Sequence, residues 1–164
     1  MTTTTEIRDA IVARLQSLPD VGQAHPYERY ANDQRKLVAH YTDSGVLCGW
    51  FVSRRAVART ERGIGSGRVL VTTSWQLTGY RAINDEQQSE LRLDTVIDAI
   101  LDAFPAQETL GGLILDTLVA DDQPLGEAGA QLLEARPVMF AGVLAHRAVI
   151  ALTTRHWVVS HSKP

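Results

Sequence analysis

Residues 68–119, RVLVTTSWQLTGYRAINDEQQSELRLDTVIDAILDAFPAQETLGGLILDTLV, carry the two most regular patterns of the chain. In the first, apolar side chains and threonine occupy one parity from Val69 to Leu77, and the other parity is mostly polar. Alternation of this kind is typical of a strand with one buried face. The sequence therefore predicts a long strand here, against which the remaining elements pack.

The second pattern is helical. Asp85 can cap a helix and Gln88, three residues later, can complete a capping box, so we expect the helix to begin near Glu86. Its apolar residues recur at three-and-four spacing until Pro105 ends the run: Leu93, Val96, Ile97, Ile100, Leu101 and Phe104. Their burial contributes on the order of 10 kcal/mol before chain entropy is subtracted. The Gly111-Gly112 step then predicts entry into a further strand.

The polar side of this helix carries acidic residues at intervals of four with no lysine among them. These residues, called the acidic stripe below, are Glu90, Asp94, Asp98 and Asp102. Neighbouring carboxylates at this spacing repel each other by a few tenths of a kcal/mol. The stripe is either a solvated face or a docking edge for a basic surface on another subunit.

Composition limits the class of protein. A chain of 164 residues with 45% hydrophobic content predicts one domain over residues 1–164. A net charge of −3 argues against a protein that coats nucleic acid. Cys48, the only cysteine, lies in an apolar run and is expected to be a buried thiol in a reducing compartment. The N-terminus has no signal-peptide pattern, and no apolar run is long enough to span a membrane.

Weaker patterns complete the architecture. At the N-terminal end they predict a helix capped by Thr3 and Glu6 that ends at Pro19, and an irregular edge strand over 23–30. Hairpin strands are expected over 37–42 and 46–53. Toward the C-terminal end they predict a helical turn over 128–135, a last strand over 143–158 and a flexible tail over 159–164. The sum is two main helices packed on a mostly antiparallel sheet of about six strands. This is an α+β fold.

A basic segment separates two of these strands. Residues 53–68 hold five arginines and one glutamate and end in alternating glycines, so we expect a long basic hairpin arm. The arginines are Arg54, Arg55, Arg59, Arg62 and Arg68. The glycines over 63–67 do not form a phosphate-binding loop, because a strand and not a helix follows them.

Catalytic and metal-binding patterns are weak throughout. The five histidines lack the spacing that places two ligands on one face. Asp116, Asp121 and Asp122 have no partner histidine or lysine at short range, and adjacent strand residues point to opposite faces. No serine lies in a Gly-x-Ser-x-Gly motif, and Cys48 has no evident activating base. We therefore predict no enzymatic activity, no metal and no cofactor.

The order of elements resembles that of a known family. An N-terminal amphipathic helix, a hairpin, the segment WQLTGYRAIND over 75–85, the helix through Phe104, the step TLGG over 109–112 and a long last strand resemble the tail terminator (tail completion) proteins of long-tailed bacteriophages. The resemblance covers residues 5–158.

This resemblance implies a structural virion protein that forms a hexameric ring on the head-proximal end of the tail tube. The ring would end tube polymerisation and present a surface for joining to the head. The implied partners are further copies of the chain, the tail tube protein and a neck or head-completion protein. Genomic DNA would only pass through the lumen. The protein would be assembled in the host cytoplasm and would have no active site.

In a ring each subunit meets the next through two different surfaces. We expect the acidic stripe to face arginines of segment 53–68 on a neighbour, although these arginines are also suited to face the tube or DNA in the lumen. The alternatives are another head–tail connector, a small nucleic-acid-binding module that uses the arm, and a small enzyme without a recognisable motif.

Overall fold

The computed structural model of the protein describes residues 2–61, 63, 67–118 and 129–159. Its elements, in chain order, are α1 (Thr4–Gln16), β1 (Gln23–His25), α2 (Gln34–His40), β2 (Thr42–Asp43), β3 (Val46–Glu61), β4 (Arg68–Ala82), a 3-10 turn (Asp85–Gln87), α3 (Ser89–Ala103), β5 (Gln131–Phe140) and β6 (Val143–Val159). The fold is α+β, as predicted.

A mostly antiparallel sheet forms the centre of the fold. Its strand order is β1-β3-β4-β6-β5, and β2 pairs with the beginning of β3. Among the described strands, only β1 and β3 pair in parallel. The predicted strand over 69–77 is confirmed as β4, which pairs with β3 and β6 along its length. The turn predicted at Asp43–Gly45 is also confirmed, and Ser44 and Gly45 have the positive φ angles, 50° and 80°, that a tight hairpin turn requires.

The main core lies between one face of the sheet and helices α1 and α3. Helix α1 begins with the predicted capping box of Thr3 and Glu6 and buries Ile7, Ile11, Val12 and Leu15. Helix α3 buries Leu93, Val96, Ile97 and Ile100 against Trp50, Trp75 and their neighbours on the sheet. A smaller cluster around Tyr41 covers part of the other face, where Leu37 and Val38 of α2 contact it.

Four local predictions were wrong. Residues 34–40 form a helix capped by Asp33, and not a strand over 37–42. The side chain of Asn84, and not Asp85, caps the turn before α3, and Gln88 takes a left-handed conformation with a φ of 52°, so α3 begins at Ser89. Residues 113–118 make one isolated bridge, between Asp116 and Arg155, and no strand.

The fourth error concerns the edge of the sheet. Part of the helical turn predicted over 128–135 is strand β5, which begins at Gln131. This strand lies at the edge of the sheet, where Pro137 is tolerated because the outer side needs no backbone donor. Residues 119–128 and the tail beyond Val159 lie outside the described residues.

The arginine-rich segment is paired strand over much of its length. Strand β3 extends to Glu61, which lies opposite Val69 of β4. Of the hairpin end, only Gly63 and Gly67 are described. Residue 62 and residues 64–66 lie outside the described part of the chain.

Candidate functional site

A β-bulge in β3 determines where the predicted arginines point. Arg54 and Arg59 are five residues apart, a separation that places side chains on opposite faces of a regular strand. The register shifts between Arg54 and Ala56, so Arg54 pairs with Trp75 and Arg59 with Val71, two β4 residues of the same parity. Both arginines therefore lie on the face that α1 covers.

The structure divides the other predicted arginines between different surroundings. Arg55 lies in the bulge and is exposed. Arg68 begins β4 on the opposite face, where its guanidinium carbon lies 4.7 Å from the centre of the Trp157 ring. Arg62 lies outside the described residues. The single basic patch expected from the sequence is therefore reduced to Arg54 and Arg59, with Arg55 beside them.

The acidic stripe lies where the helical spacing predicted it. Glu90, Asp94, Asp98 and Asp102 are all exposed on the side of α3 opposite its buried residues. Successive members are four residues apart, which corresponds to about 6 Å along the helix axis. No member forms an ion pair with any residue in the described ranges.

Several charges elsewhere on the subunit do have partners. Arg14 contacts Glu108 at 2.9 Å, and Arg81 contacts Asp20 at 3.0 Å. By contrast, Arg54, Arg55 and Arg59 form no ion pair with the described part of the chain. Three cations and four carboxylates are thus left for solvent or for another molecule.

A cavity of about 430 Å³ lies between the first residues of α1 and the sheet. Arg54 and Arg59 line it from β3, His156 lines it from β6, and Thr2, Thr3 and Thr4 close it from the N-terminal side. His156 is buried, and burial together with the charge of Arg59 lowers the pKa of its imidazole. Sequence reasoning considered His156 only as a metal ligand, and nothing in the sequence indicates which residues surround it.

A second cleft, of about 360 Å³, is lined by Ser89, which belongs to a pair that the sequence did not reveal. Ser89 Oγ accepts a hydrogen bond from the Asn84 backbone N–H at 2.9 Å and lies 3.0 Å from His146 Nε2. Ser89 is only 6% exposed, and no described carboxylate is hydrogen-bonded to His146. The pair therefore joins the first turn of α3 to β6. The two residues are 57 positions apart, so no local motif could have identified them.

The aspartates considered for metal chemistry have other surroundings. Asp116 forms two hydrogen bonds of 2.7 Å with the guanidinium of Arg155, which connects the loop after α3 to β6. Asp121 and Asp122 lie outside the described residues. Over the described ranges, no cluster of three histidine, cysteine or acidic side chains has an arrangement that could hold a metal ion.

Among the described helices, none is both long and apolar enough to span a bilayer. No known family model matches the chain, and no curated protein is significantly similar to it in sequence.

Proposed function

We propose that this protein is a structural subunit that assembles into a ring, and specifically a tail terminator of a long-tailed bacteriophage. The observation that carries the proposal is a pair of oppositely charged surfaces, neither of which forms an ion pair with the described residues of the subunit. These are the acidic stripe on α3 and the arginines at positions 54, 55 and 59 of β3. The resemblance in the order of elements supplies the identity of the ring.

Surfaces of this kind favour a heterologous contact. When one surface of a subunit binds a different surface of the next, the assembly closes into a ring if the rotation between subunits divides a full turn. Exposed charges across such a contact mainly determine register and association rate. Six copies on the end of the tail tube would stop its growth and offer the opposite side to the neck of the head.

The basic arm predicted from the sequence corresponds to the β3 side of the hairpin formed by β3 and β4. In the proposed ring, the exposed part of β3 brings Arg54, Arg55 and Arg59 to the stripe of the neighbouring subunit. Long arginine side chains suit this role because the guanidinium can bind a carboxylate through two hydrogen bonds.

The first test is the native mass of the purified protein by light scattering, with negative-stain imaging of the same sample. We expect a six-fold ring, or a monomer that forms rings when tail tube protein is added. A protein that stays monomeric at every concentration of added tube protein would contradict the proposal.

Charge reversal tests the contact itself. Asp94→Lys with Asp98→Lys should weaken ring formation, and so should Arg54→Glu with Arg59→Glu. A chain that carries all four changes regains complementary surfaces and should recover rings. Asp9→Lys is the matched control, because Asp9 is an exposed acid on α1 outside the stripe. Failure of the combined variant to recover rings, with each parent folded, would refute this contact.

A nucleic-acid-binding module is the second candidate. It is favoured by the exposure of Arg54, Arg55 and Arg59 without described acidic partners. Three arginines on phosphates predict a slope of about −2.7 in a plot of log binding constant against log salt for duplex DNA. Salt-sensitive DNA binding by a protein that never forms rings would favour this candidate over the terminator.

A further inference from the structure

The cavity at the start of α1 has a wall that is positively charged. The bulge in β3 places Arg54 and Arg59 on its sheet side, opposite Trp75 and Val71, which are four residues apart along β4. Bulges frequently redirect a side chain toward a binding site. Without this bulge, one of the two arginines would point to the opposite face. Two arginine side chains therefore line one cavity from a single strand.

His156 supplies an unpartnered polar group to the same cavity. It is 4% exposed, and its Nδ1 atom has no hydrogen-bond partner among the described residues. Buried side-chain nitrogens are nearly always hydrogen-bonded, so an unsatisfied imidazole on a residue that lines a cavity favours a ligand with a hydrogen-bonding atom. Because a neutral imidazole carries one donor and one acceptor, His156 can donate to an anion without a further positive charge.

The N-terminus of α1 adds to the positive potential. This helix has 13 residues, and the positive end of its dipole lies at Thr4, beside the cavity. The Glu6 carboxylate accepts hydrogen bonds from the backbone and hydroxyl of Thr3 and offsets part of this charge. On β3, Glu61 lies beyond Arg59 and forms no ion pair with described residues. Thr2 and Thr4 also line the cavity, and their side chains carry hydroxyl donors.

We propose that this cavity is an oxyanion-binding site that holds one carboxylate or phosphate group. Arg54 and Arg59 donate charge-assisted hydrogen bonds to its oxygens, and the His156 ring donates one more. Two sources have this chemistry: free phosphate, and a carboxylate from the acidic stripe of a second copy. The second source rests on the proposed ring, whereas the site itself does not.

The test is a titration with inorganic phosphate, followed by nuclear magnetic resonance of the backbone amides and the His156 ring, with sodium chloride at equal ionic strength as the reference. We expect saturable binding that shifts the His156 resonances. Arg54→Gln and Arg59→Gln should each weaken it by about tenfold or more, the loss expected for one charge-assisted hydrogen bond. Arg55→Gln is the matched control and should change the affinity less than about twofold.

These substitutions lie on exposed residues, so loss of the fold is not expected, and thermal unfolding checks it. Three results would each overturn the proposal. The parent protein does not bind phosphate; Arg54→Gln and Arg59→Gln bind it as tightly as the parent does; or Arg55→Gln weakens binding as much as they do. The same titration in the Asp94→Lys/Asp98→Lys variant removes competition from a second copy.

Light scattering in the presence of phosphate distinguishes the two sources. Oligomers that dissociate as phosphate binds support a carboxylate from a second copy, and binding that leaves the native mass unchanged supports a free oxyanion. A chain that binds phosphate but never forms rings would retain the site and contradict only the proposed function.

Discussion

Reversal of one charge in the middle of the acidic stripe should affect subunit stability and assembly in opposite directions. Asp98 lies four residues after Asp94 and four before Asp102, and all three are exposed without described partners. Each like-charge pair at this spacing destabilises a helix by about 0.2–0.5 kcal/mol, and an opposite-charge pair stabilises it by a similar amount. Asp98→Lys converts two repulsive pairs into two attractive ones.

The sum over both pairs is a gain of about 1–2 kcal/mol in the free energy of unfolding of the isolated subunit. For a domain of this size, that gain corresponds to an increase of about 2–8 °C in the melting temperature. Asp98→Asn removes the repulsion without adding attraction, so it should give about half of the effect. If the stripe binds a neighbour, the same lysine should weaken ring formation while it stabilises the subunit.

The assay is urea unfolding at low ionic strength and at a protein concentration where the subunit is monomeric, because assembly would otherwise add to the apparent stability. In about 1 M salt the gain should largely disappear, since the screening length falls to about 3 Å. A lysine variant that is less stable than the parent at low salt would refute the reasoning. It would mean that Asp98 makes a favourable contact within the subunit.

Three further predictions concern the core and two titratable groups. A Cβ at position 79 would overlap the buried Trp50 ring, so Gly79→Ala should lower the free energy of unfolding in urea by about 1–3 kcal/mol. In a Trp50→Leu background the same substitution should cost less, and an equal cost in both backgrounds would contradict this. Burial and the charge of Arg59 keep the pKa of His156 in the folded protein below its ordinary 6.5. As pH falls below about 6.5, the imidazole is therefore protonated in the unfolded chain before it is protonated in the folded one, and the free energy of unfolding decreases. His156→Gln should show a smaller decrease, because the His40 imidazole, whose pKa is also lowered by burial, still contributes in this way; a pH profile equal to that of the parent would count against the reasoning. Burial raises the pKa of the Cys48 thiol, so an aromatic disulfide reagent should react slowly with the native protein and rapidly in urea; rapid native reaction would show that the thiol is accessible.

The elements predicted correctly from the sequence are those that bury one regular face. Strand β4, helices α1 and α3 and strand β6 each carry a clear apolar period, because the core lies on one side of each. Helix α2 has no fully buried residue, and most of β5 is exposed, so neither has a strong period. The arginine-rich end of β3 was expected to be an arm for the same reason, since its residues from Arg54 onward are exposed.

The surfaces were predictable only in part. Helical spacing alone placed the acidic stripe, because four-residue intervals fix one side of a helix. Strand alternation could not predict that Arg54 and Arg59 share a face, because the bulge between Arg54 and Ala56 has no signature in the sequence. The unpartnered nitrogen of His156 depends on β3 and α1 together, and a single segment does not encode that arrangement.

The edges of the sheet bear on how two copies of this chain can meet. An exposed strand edge can pair with another chain through its backbone, which is the main alternative to a contact between charged side chains. At one edge, β1 covers only residues 49–51 of β3, and the outer side of β3 from Val52 to Glu61 has no strand partner among the described residues. That stretch carries exposed arginines and a bulge between Arg54 and Ala56. The other edge is β5, where Pro137 lacks a backbone donor and a bulge interrupts the register between Leu132 and Glu134. Bulges on β3 and β5, the arginine charges of β3 and Pro137 all weaken backbone pairing. The proposed contact between copies should therefore rely on charged side chains and weaken steeply as salt increases.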